Sequence, residues 1–347
     1  MADRPLVSVI VLNHNGLDFL AKCLPTVERT AYSPLEILVA DNHSTDGSVE
    51  HVRKHHPNVR LLAFDHNYGY TGAYNRAVPE ARGEFVALLN NDTEVDPHWL
   101  DQPVELLMRE PRLAALQTKL RFLQDRRLFD YSGGSGGYLD AYGYPFVRGR
   151  VFDHLEEDRG QYDDVVPVMW ASGAAFVNRR SAFLEMNGLD DDFFMHMEEL
   201  DLCWRYWLMG WEIKVAPQSI VYHWAGGALP ADRFRKMYLN HRNGIAVMMK
   251  NLSARSIVRR LPLRLVFDWI TFFASPFRGQ FKRSAAVLAA HVFVLFHLPS
   301  IWSKHRRMQR MRKVSDRELG HVIVPWSVVW RHFVLRRKTF TQLMAVS

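Results

Sequence analysis

The chain has 347 residues, a length that suits one large domain or two of ordinary size. Hydrophobic residues make up 48% and aromatic residues 12%, so the composition excludes a disordered chain and predicts a folded core. The only two cysteines, Cys23 and Cys203, exclude a disulfide framework and favour a reducing compartment. The first residues predict a buried strand rather than a signal peptide, because no charged leader precedes an apolar stretch with a cleavage site.

The net charge of +7 conceals an asymmetry between two parts of the chain. From His241 to the end there are 20 lysines and arginines against 3 acidic residues, whereas the preceding part has 24 basic and 34 acidic residues. An acidic body with a basic, aromatic-rich tail predicts a negatively charged partner that meets the tail alone. Anionic lipid and nucleic acid are the two partners of that kind.

Strands and helices alternate over the first 90 residues. Short apolar, β-branched runs predict buried strands over 7–12, 35–42, 58–64 and 84–89. Helical spacing predicts helices over 16–30, 46–56 and 71–81, with an early end to the last at Pro79. This order is typical of an α/β domain with a largely parallel sheet.

Polar clusters follow three of these strands, at residues 13–15, 41–42 and 90–92. Ligands of parallel sheets bind beyond the carboxyl ends of the strands, so we expect the three clusters to meet at one crevice.

The middle of the chain is less regular. The glycine- and tyrosine-rich stretch 131–146 predicts a loop that forms a mobile flap over a ligand. A strand pair, a helix and a glycine turn are expected over 166–194, followed by a helix over 198–211 that ends at Gly210. Further strands are expected over 212–217 and 219–224.

The tail contains two apolar, aromatic stretches, 260–279 and 284–302, and then the basic run 304–313. This pattern favours amphipathic helices lying in the interface of an anionic leaflet. Two other interpretations stay open: a helical subdomain packed on the core, and a true membrane span, against which His291, His297 and Pro299 weigh. A nucleic-acid-binding tail is disfavoured because the apolar stretches are too continuous for a solvated binding face.

Two aspartates stand out at the strand ends. Asp41 could accept a hydrogen bond from the N3–H of a pyrimidine base, while Ser44 and Asp46 in the following turn could equally cap a helix. Asp92 could be the carboxylate that holds Mg²⁺ or Mn²⁺ beside donor phosphates, although a lone aspartate after a strand is often a turn former.

An acidic cluster begins the helix at 198. Glu198, Glu199 and Asp201 beside aromatic residues should repel one another and have raised pKa values, which is how a general base is tuned. Asp201 and Arg205 are four residues apart and can pair, so Asp201 is interpreted as structural and one of the glutamates as the base. His223, at the end of a strand, could bind metal or phosphate or be an ordinary histidine.

Taken together, these residues resemble glycosyltransferase family 2. The resemblance covers roughly residues 6–250 and rests on an ordered set of segments: "VSVIVLNHNG", "VADNHSTDGS", "NYGYTGAYNRA", "GEFVALLNNDTEVDPHWL", the long segment from Trp170 to Trp211, and "VYHWAGG". The branch it is most similar to comprises the bacterial rhamnosyltransferase-like and galactofuranosyltransferase-like enzymes of surface polysaccharides.

The resemblance implies the α/β GT-A nucleotide-diphospho-sugar transferase fold, with a Rossmann-like mixed, mainly parallel sheet. It places a GT-A domain at 1–245, with a nucleotide-sugar half at about 1–100 and an acceptor half at about 101–245. Residues 246–347 then form a basic, apolar, helical and membrane-associating extension.

Site residues are assigned from the matched motifs. The nucleotide would be bound by Asn13, Asn15, Asp41, Asn67, Gly69 and Asn75. Asn90 to Asp92 replaces the metal-binding DxD motif, so Asp92, helped by His223, would hold Mg²⁺ or Mn²⁺. The sugar and acceptor would meet Asn91, Trp170, Ser172, Gly173 and Asp201. The family's usual Glu-Asp pair is Glu198-Glu199 here; Glu199 aligns with the base, and Glu198 is the alternative.

The implied activity is inverting, metal-dependent transfer of a sugar from dTDP-rhamnose or a UDP-sugar to a hydroxyl of a lipid-linked or polysaccharide acceptor. With Asp92 as the single carboxylate, metal and donor are expected to bind together. The enzyme would lie peripherally on the cytoplasmic face of the bacterial inner membrane and would bind no nucleic acid. The alternative is a catalytically inactive sugar-nucleotide-binding scaffold, suggested by the incomplete DxD motif and the Glu-Glu pair.

Overall fold

In residues 4–224 and 233–345, which the computed structural model describes, the chain forms thirteen strands and twelve α-helices. The strands are β1 (Val7–Asn13), β2 (Leu35–Asp41), β3 (Arg60–Ala63), β4 (Phe85–Asn90), β5 (Thr93–Val95), β6 (Leu113–Phe122), β7 (Gly137–Asp140), β8 (Pro145–Val147), β9 (Arg150–Val151), β10 (His154–Leu155), β11 (Ala175–Arg179), β12 (Glu212–His223) and β13 (Ile323–Val324). The helices are α1 (Leu17–Glu28), α2 (Ser48–His55), α3 (Gly69–Glu80), α4 (Asp101–Arg109), α5 (Arg180–Glu185), α6 (Glu198–Leu208), α7 (Arg233–Asn251), α8 (Ala254–Ala274), α9 (Phe281–Phe296), α10 (Leu298–Met311), α11 (Val328–Phe333) and α12 (Phe340–Met344).

The main sheet has eight strands in the order β3-β2-β1-β4-β11-β6-β12-β5. The first four strands are parallel, β11 runs antiparallel to both of its neighbours, β6 and β12 are parallel, and β5 is antiparallel to β12. This mixed, mainly parallel sheet confirms the predicted α/β class.

β1 shows why the early runs are so apolar. Val7, Val9 and Val11 pack on one side of the sheet, with α1 and α4, while Ile10 faces the other side, with α3. A strand with helices on both faces has no solvent-facing side, so the polar alternation of a half-buried strand is absent.

The four predicted strands and three predicted helices of the first 90 residues are confirmed, with one correction at Pro79. α3 does not end early at that proline but continues to Glu80. Pro79 occupies the last turn, so its ring disturbs only the end of the helix.

The flap predicted for 131–146 is wrong. Residues 137–140 and 145–147 form β7 and β8 of a second sheet with the order β10-β9-β8-β7-β13, and most of the stretch is buried. The glycines allow close packing: a Cβ on Gly137 would lie 2.2 Å from the ring of Trp170. The two strands predicted over 212–224 are instead one strand, β12, with an irregularity between Ala216 and Ile220.

The tail forms the predicted helices, α8 to α10. They pack against α7 and also contact the body directly, through Arg264 of α8 and Lys304 of α10. α7 packs on α9 and α10, and its remaining contacts include α6. No single helix in the described ranges has both the length and the hydropathy of a membrane span; α9 and α10 together reach them, but with a bend of 68° between the two.

Candidate active site at the strand ends

The polar clusters after β1, β2 and β4 do meet, as predicted. Asn13 donates through Nδ2 to Asp41 Oδ2 at 3.0 Å and to Ser44 Oγ at 3.1 Å. Asn91 donates to Asn13 Oδ1 at 2.6 Å, and Asp41 also accepts from the backbone N–H of Ser44 at 2.9 Å. Asn13 and Asp41 are opposite each other in the β1–β2 register, so strand pairing itself brings them together.

A second polar group shapes the neighbouring loop. Asn42 donates to Asn67 Oδ1 at 2.9 Å and to the Gly69 carbonyl at 3.1 Å, and it accepts from the N–H of Tyr68 at 2.9 Å. Asn15, in the left-handed region with φ of 48°, accepts from the N–H of Thr45 at 2.8 Å. The predicted nucleotide residues Asn15 and Asn67 therefore hold the loops on either side of Asp41.

Gly69 begins α3 with a φ of +70°, and a Cβ there would lie 2.6 Å from the ring of Phe194. Only glycine combines that conformation with that contact at no steric cost. Asn75, further along α3, donates to the Leu189 carbonyl and to Asp191 Oδ1, both at 2.8 Å, and accepts from the N–H of Leu189. Its amide thus holds the turn after α5, and its nucleotide-binding role stays a prediction.

Asp92 and His223 lie together at the ends of two other strands. His223 Nε2 is 3.4 Å from Asp92 Oδ1, and His223 Nδ1 is 3.1 Å from Asp130 Oδ1. The pairing of β5 with β12 sets His223 opposite Thr93, next to Asp92. Burial opposes a charge on His223, but the two carboxylates outweigh it and raise the pKa of this imidazole to about 10.

The protein oxygens near His223 suit a divalent cation whose coordination is completed by phosphate or water. Asp92 Oδ1 and Asp130 Oδ2 are buried without hydrogen-bond partners, which is costly unless a cation or polar ligand satisfies them. Within residues 4–224 and 233–345, however, no three His, Cys, Asp or Glu side chains are arranged to hold a metal. Asp92 could hold the ion only with further oxygens from phosphate or water, and His223 could join it as a ligand once the cation has displaced its proton.

The two adjacent glutamates differ in their surroundings. Glu198 is 4% exposed, and burial together with the charge of Glu199 raises its pKa well above the usual range for glutamate. Burial also raises the pKa of Glu199, but the backbone N–H of Gly173 and a hydrogen bond from Glu198 favour its ionised form. Burial and the repulsion between the two carboxylates therefore favour a pair that shares one proton.

The backbone before this pair is strained. Phe194 has φ 62° and ψ −52°, and the N–H of Met195 donates to the Phe193 carbonyl at 2.7 Å, which makes a γ-turn of the rare kind. His196 and Met197 also have positive φ, at 66° and 70°. Such conformations cost about 1–3 kcal/mol each and collect at functional sites.

Asp201 is held by structural partners. It is 0% exposed and accepts from Arg205 at 2.8 Å, from Lys250 at 2.7 Å and from Asn251 at 2.9 Å. These contacts match its interpretation as a structural partner of Arg205. They also engage both of its carboxylate oxygens, so its assignment to the sugar and acceptor group is not favoured.

Trp170, Ser172 and Gly173 form one buried turn before β11. The indole N–H of Trp170 donates to the Tyr138 carbonyl at 3.1 Å, and its ring covers Gly137. Ser172 is 2% exposed beside Gly133. Gly173 is the member of this set nearest the chemistry, because a Cβ there would lie 3.7 Å from Glu199 Oε1.

Three residues of the site were missed from the sequence: Asp130, Tyr70 and Asn243. Asp130 holds His223, the Tyr70 hydroxyl donates to the Gly173 carbonyl at 2.7 Å beside the glutamates, and Asn243 contacts the strained segment. Tyr70 comes directly after Gly69 inside a matched motif and could have been found there. Asp130 and Asn243 carry no local signal, since only the tertiary fold brings them to the site.

Comparison with known proteins agrees with this geometry. The model of "Glycosyl transferase family 2" matches residues 8–184, about half of the chain. N-acetylglucosaminyl-diphospho-decaprenol L-rhamnosyltransferase of Mycobacterium tuberculosis is 27% identical over 258 residues, which is 69% of this chain and 82% of that protein. Rhamnosyltransferase WbbL of Escherichia coli K12 is 24% identical over 227 residues, covering 63% of this chain and 84% of that protein.

Among solved structures, the mannosyltransferase PcManGT of Pyrobaculum calidifontis, in complex with GDP-Man and Mn²⁺, superposes with a TM-score of 0.56 at 17% identity. The match covers 85% of this chain and 88% of that one, and it supports the GT-A fold. The ordered strand ends, the paired glutamates and the family match lead to one conclusion: the chain belongs to glycosyl transferase family 2 and is a glycosyltransferase.

Proposed function

We propose that this glycosyltransferase inverts the anomeric centre of a sugar as it moves it from a nucleotide-diphosphate donor to an acceptor hydroxyl in cell-surface glycan synthesis. The observation that carries the proposal is the position of the Glu198–Glu199 pair. The segment before the pair contacts the predicted nucleotide loop directly, since the N–H of Tyr70 donates to the Phe194 carbonyl at 3.1 Å. Base and donor site are thus adjacent.

In this mechanism Glu199 accepts the proton of the acceptor hydroxyl. The acceptor oxygen forms a bond to the anomeric carbon while the bond from that carbon to the donor phosphate oxygen breaks on the opposite face. Glu198 carries a proton and donates to Glu199, so the pair needs only one negative charge in a buried site. The backbone N–H of Gly173 binds the Glu199 carboxylate, and the Tyr70 hydroxyl in turn holds the Gly173 carbonyl.

The donor would bind across the ends of β1, β2 and β4. Asp41, one of whose oxygens is shared with Asn13 and the other with Ser44, would accept from the base, and Asn67 and Gly69 would shape the pocket. Mg²⁺ or Mn²⁺ at Asp92 and His223 would offset the charge of the leaving diphosphate. Asp92 Oδ1 has no hydrogen-bond partner and only the His223 imidazole at 3.4 Å, which supports joint binding of metal and donor.

dTDP-rhamnose is the favoured donor and a UDP-sugar the alternative. Support comes from the relatives: both curated proteins described above are named rhamnosyltransferases, and the mycobacterial one is named for a diphospho-decaprenol-linked acceptor. A lipid-linked or polysaccharide hydroxyl is therefore the proposed acceptor.

We place the enzyme peripherally on the cytoplasmic face of the bacterial inner membrane. Its bilayer-facing element would be the turn between α8 and α9, where Phe277 is 92% and Phe281 68% exposed and Arg278, Lys282 and Arg283 are exposed beside them. α8 continues this apolar surface with a hollow of about 540 Å³ lined by Val266, Trp269, Ile270, Phe273, Ala274 and Phe277. Aromatic residues with flanking cations suit an anionic leaflet.

A donor panel tests the reaction. The full chain is incubated with dTDP- and UDP-sugars, with Mn²⁺ or with EDTA, and donor hydrolysis or transfer is measured. We expect turnover that EDTA abolishes, lost in Asp92→Ala but kept in the control Asp96→Ala on the same stretch. Nucleotide binding without turnover of any donor would favour the inactive scaffold, and EDTA-resistant activity would contradict the metal assignment.

Flotation with vesicles tests the membrane surface. The wild-type chain should float with vesicles that contain anionic lipid, and the double variant Phe277→Ser, Phe281→Ser should not. Met108→Ser with Leu184→Ser is the matched control, because these side chains are also exposed apolar groups, at 47% and 38%, but lie on α4 and α5. A salt-dependent shift of DNA without flotation would refute the proposal.

A further inference from the structure

The strained segment 193–197 leads directly into the catalytic glutamates, and side chains of a distant helix hold it. Asn243, in α7, donates through Nδ2 to the carbonyls of Phe193 at 3.3 Å, Met195 at 3.0 Å and His196 at 2.6 Å. Asn243 is 0% exposed, so its amide must find its hydrogen-bond partners within the protein, and these carbonyls are the ones it meets.

Arg242 extends the same contact. Its Nη2 donates to the carbonyls of Asp192 and Phe193, both at 3.0 Å, and its Nε donates to Asn243 Oδ1 at 2.7 Å. The last bond occupies the amide oxygen, which turns the amide nitrogen towards the segment. Two consecutive residues of α7 therefore bind the carbonyls of four residues, 192, 193, 195 and 196.

This contact lies immediately before the first turn of α6, which carries the glutamate pair. Met197 is the last residue before α6 and has a φ of 70°, and Glu198 and Glu199 are the first two residues of that helix. A change at 194–197 would therefore rotate the first turn of α6 and move both carboxylates. The segment adopts conformations that non-glycine residues avoid, so it needs contacts that hold it there.

We propose that Asn243 is a positioning residue for the Glu198–Glu199 pair, acting through the backbone of 193–196. This inference rests on the proposed function, because it assigns Asn243 to the base of that reaction. Asn243 touches neither glutamate in the structure and acts only through the segment.

The test compares three variants of the full chain. Asn243→Asp keeps the size of the side chain but replaces the donating nitrogen with an oxygen that faces carbonyls, and Asn243→Ala removes the group. Ile245→Ala is the control: Ile245 is 1% exposed on the same helix and packs with Met249, Val294 and Ile301, away from the segment. It should destabilise α7 without releasing 193–196.

We expect kcat to fall about 100-fold in both Asn243 variants, the loss that a displacement of about 1 Å in a catalytic group can cause. The dissociation constant of the nucleotide donor should change much less than kcat, because Asn243 binds the carbonyls of 193, 195 and 196 and not that of Phe194, which contacts the nucleotide loop. The acid limb of the pH–kcat profile should move. Ile245→Ala should keep kcat and its pH profile at temperatures where it remains folded. Equal losses of kcat in the control and the Asn243 variants would overturn the proposal.

Hydrogen–deuterium exchange separates this proposal from the proposed function. Peptides covering 192–199 should exchange faster in Asn243→Asp than in wild type, while peptides of α7 keep their protection. Unchanged exchange in 192–199 would overturn the positioning role whether or not a donor is found. If the wild-type protein turned over no donor, the proposed function would be overturned. The exchange experiment would then still decide whether Asn243 holds the backbone of 192–199.

Discussion

Replacing each glutamate of the pair by glutamine should give two very different enzymes. In Glu199→Gln the group that accepts the proton is gone, and a general base contributes about 10²–10⁴-fold, so we expect kcat to fall about 10³-fold. In Glu198→Gln the amide still donates to Glu199 and is neutral, like the protonated Glu198 it replaces. Its kcat should therefore stay within about tenfold of wild type, since the base itself is retained.

Glu198→Gln should also be more stable to unfolding than wild type at high pH. The pKa of Glu198 is raised well above its usual value by burial and by Glu199. A raised pKa in the folded state means that stability falls as the pH rises from the unfolded value, about 4.3, up to the folded one, by about 1.4 kcal/mol per pKa unit. Glu198→Gln removes this loss, so it should unfold at a higher temperature than wild type at pH 8, with a smaller difference near pH 4.

The assay is donor turnover from pH 4 to 9 alongside thermal unfolding at the two pH values. The acid limb of kcat should lie above the usual glutamate pKa of about 4.3, because Glu199 must be ionised to act and its pKa is raised by burial. Equal loss of activity in the two variants would refute the division of roles. A Glu198→Gln protein that is less stable than wild type at pH 8 would refute the shared-proton interpretation.

Three further outcomes are expected. Asp41→Ala should weaken binding of the donor nucleotide at least tenfold by calorimetry, because a charged hydrogen bond contributes about 1.5–3 kcal/mol; unchanged affinity would exclude Asp41 from base recognition. Gly69→Ala should lower the free energy of unfolding by about 1–3 kcal/mol, since its φ of +70° and the ring of Phe194 at 2.6 Å both oppose a side chain, and an unchanged melting temperature would contradict this. Flotation with anionic vesicles should weaken between 0.1 and 1 M salt as the Debye length falls from about 10 to about 3 Å, whereas salt-independent binding would mean that Arg278, Lys282 and Arg283 contribute nothing.

The nucleotide side of the fold could be predicted from the sequence because each of its signals is local. β1, β2 and β4 are continuous apolar runs that stop at polar residues, and parallel pairing brings those stops to one edge. The meeting of Asn13, Asp41 and Asn91 follows from that rule without any knowledge of packing.

The second sheet could not be predicted in the same way. The glycines of 131–146 suggested a loop because glycine usually marks backbone freedom. Here they mark close approach instead: Gly134 and Gly136 leave room for the Arg148 carbonyl and the side chain of Val168, which lie outside the stretch. Strands of two to four residues with such glycines lack the alternation from which a strand is recognised.

On the acceptor side of the site, the sequence predicted the glutamate pair but not the residues that hold the site in place. The Glu-Glu pair is visible in the sequence, whereas the partners of His223 and of segment 193–197 come from elements far along the chain. Asp130 is 93 residues from His223, and Asn243 is 47 residues from His196. Helical and strand periodicities relate only residues that are close in sequence, so they cannot predict contacts between residues so far apart.

The ion pairs that attach the C-terminal helices to the body limit how the chain can be truncated or its segments exchanged with those of a relative. Lys304 of α10 pairs with Asp190 and Asp192, at 2.5 Å each, and Lys250 of α7 reaches Asp190 and Asp201, at 2.7 Å each. A fragment trimmed before α7 would lose these pairs together with Asn243. Grafting the helices of one relative onto the body of another would exchange part of the catalytic framework, so inheritance of the two parts as a unit is the expected evolutionary pattern.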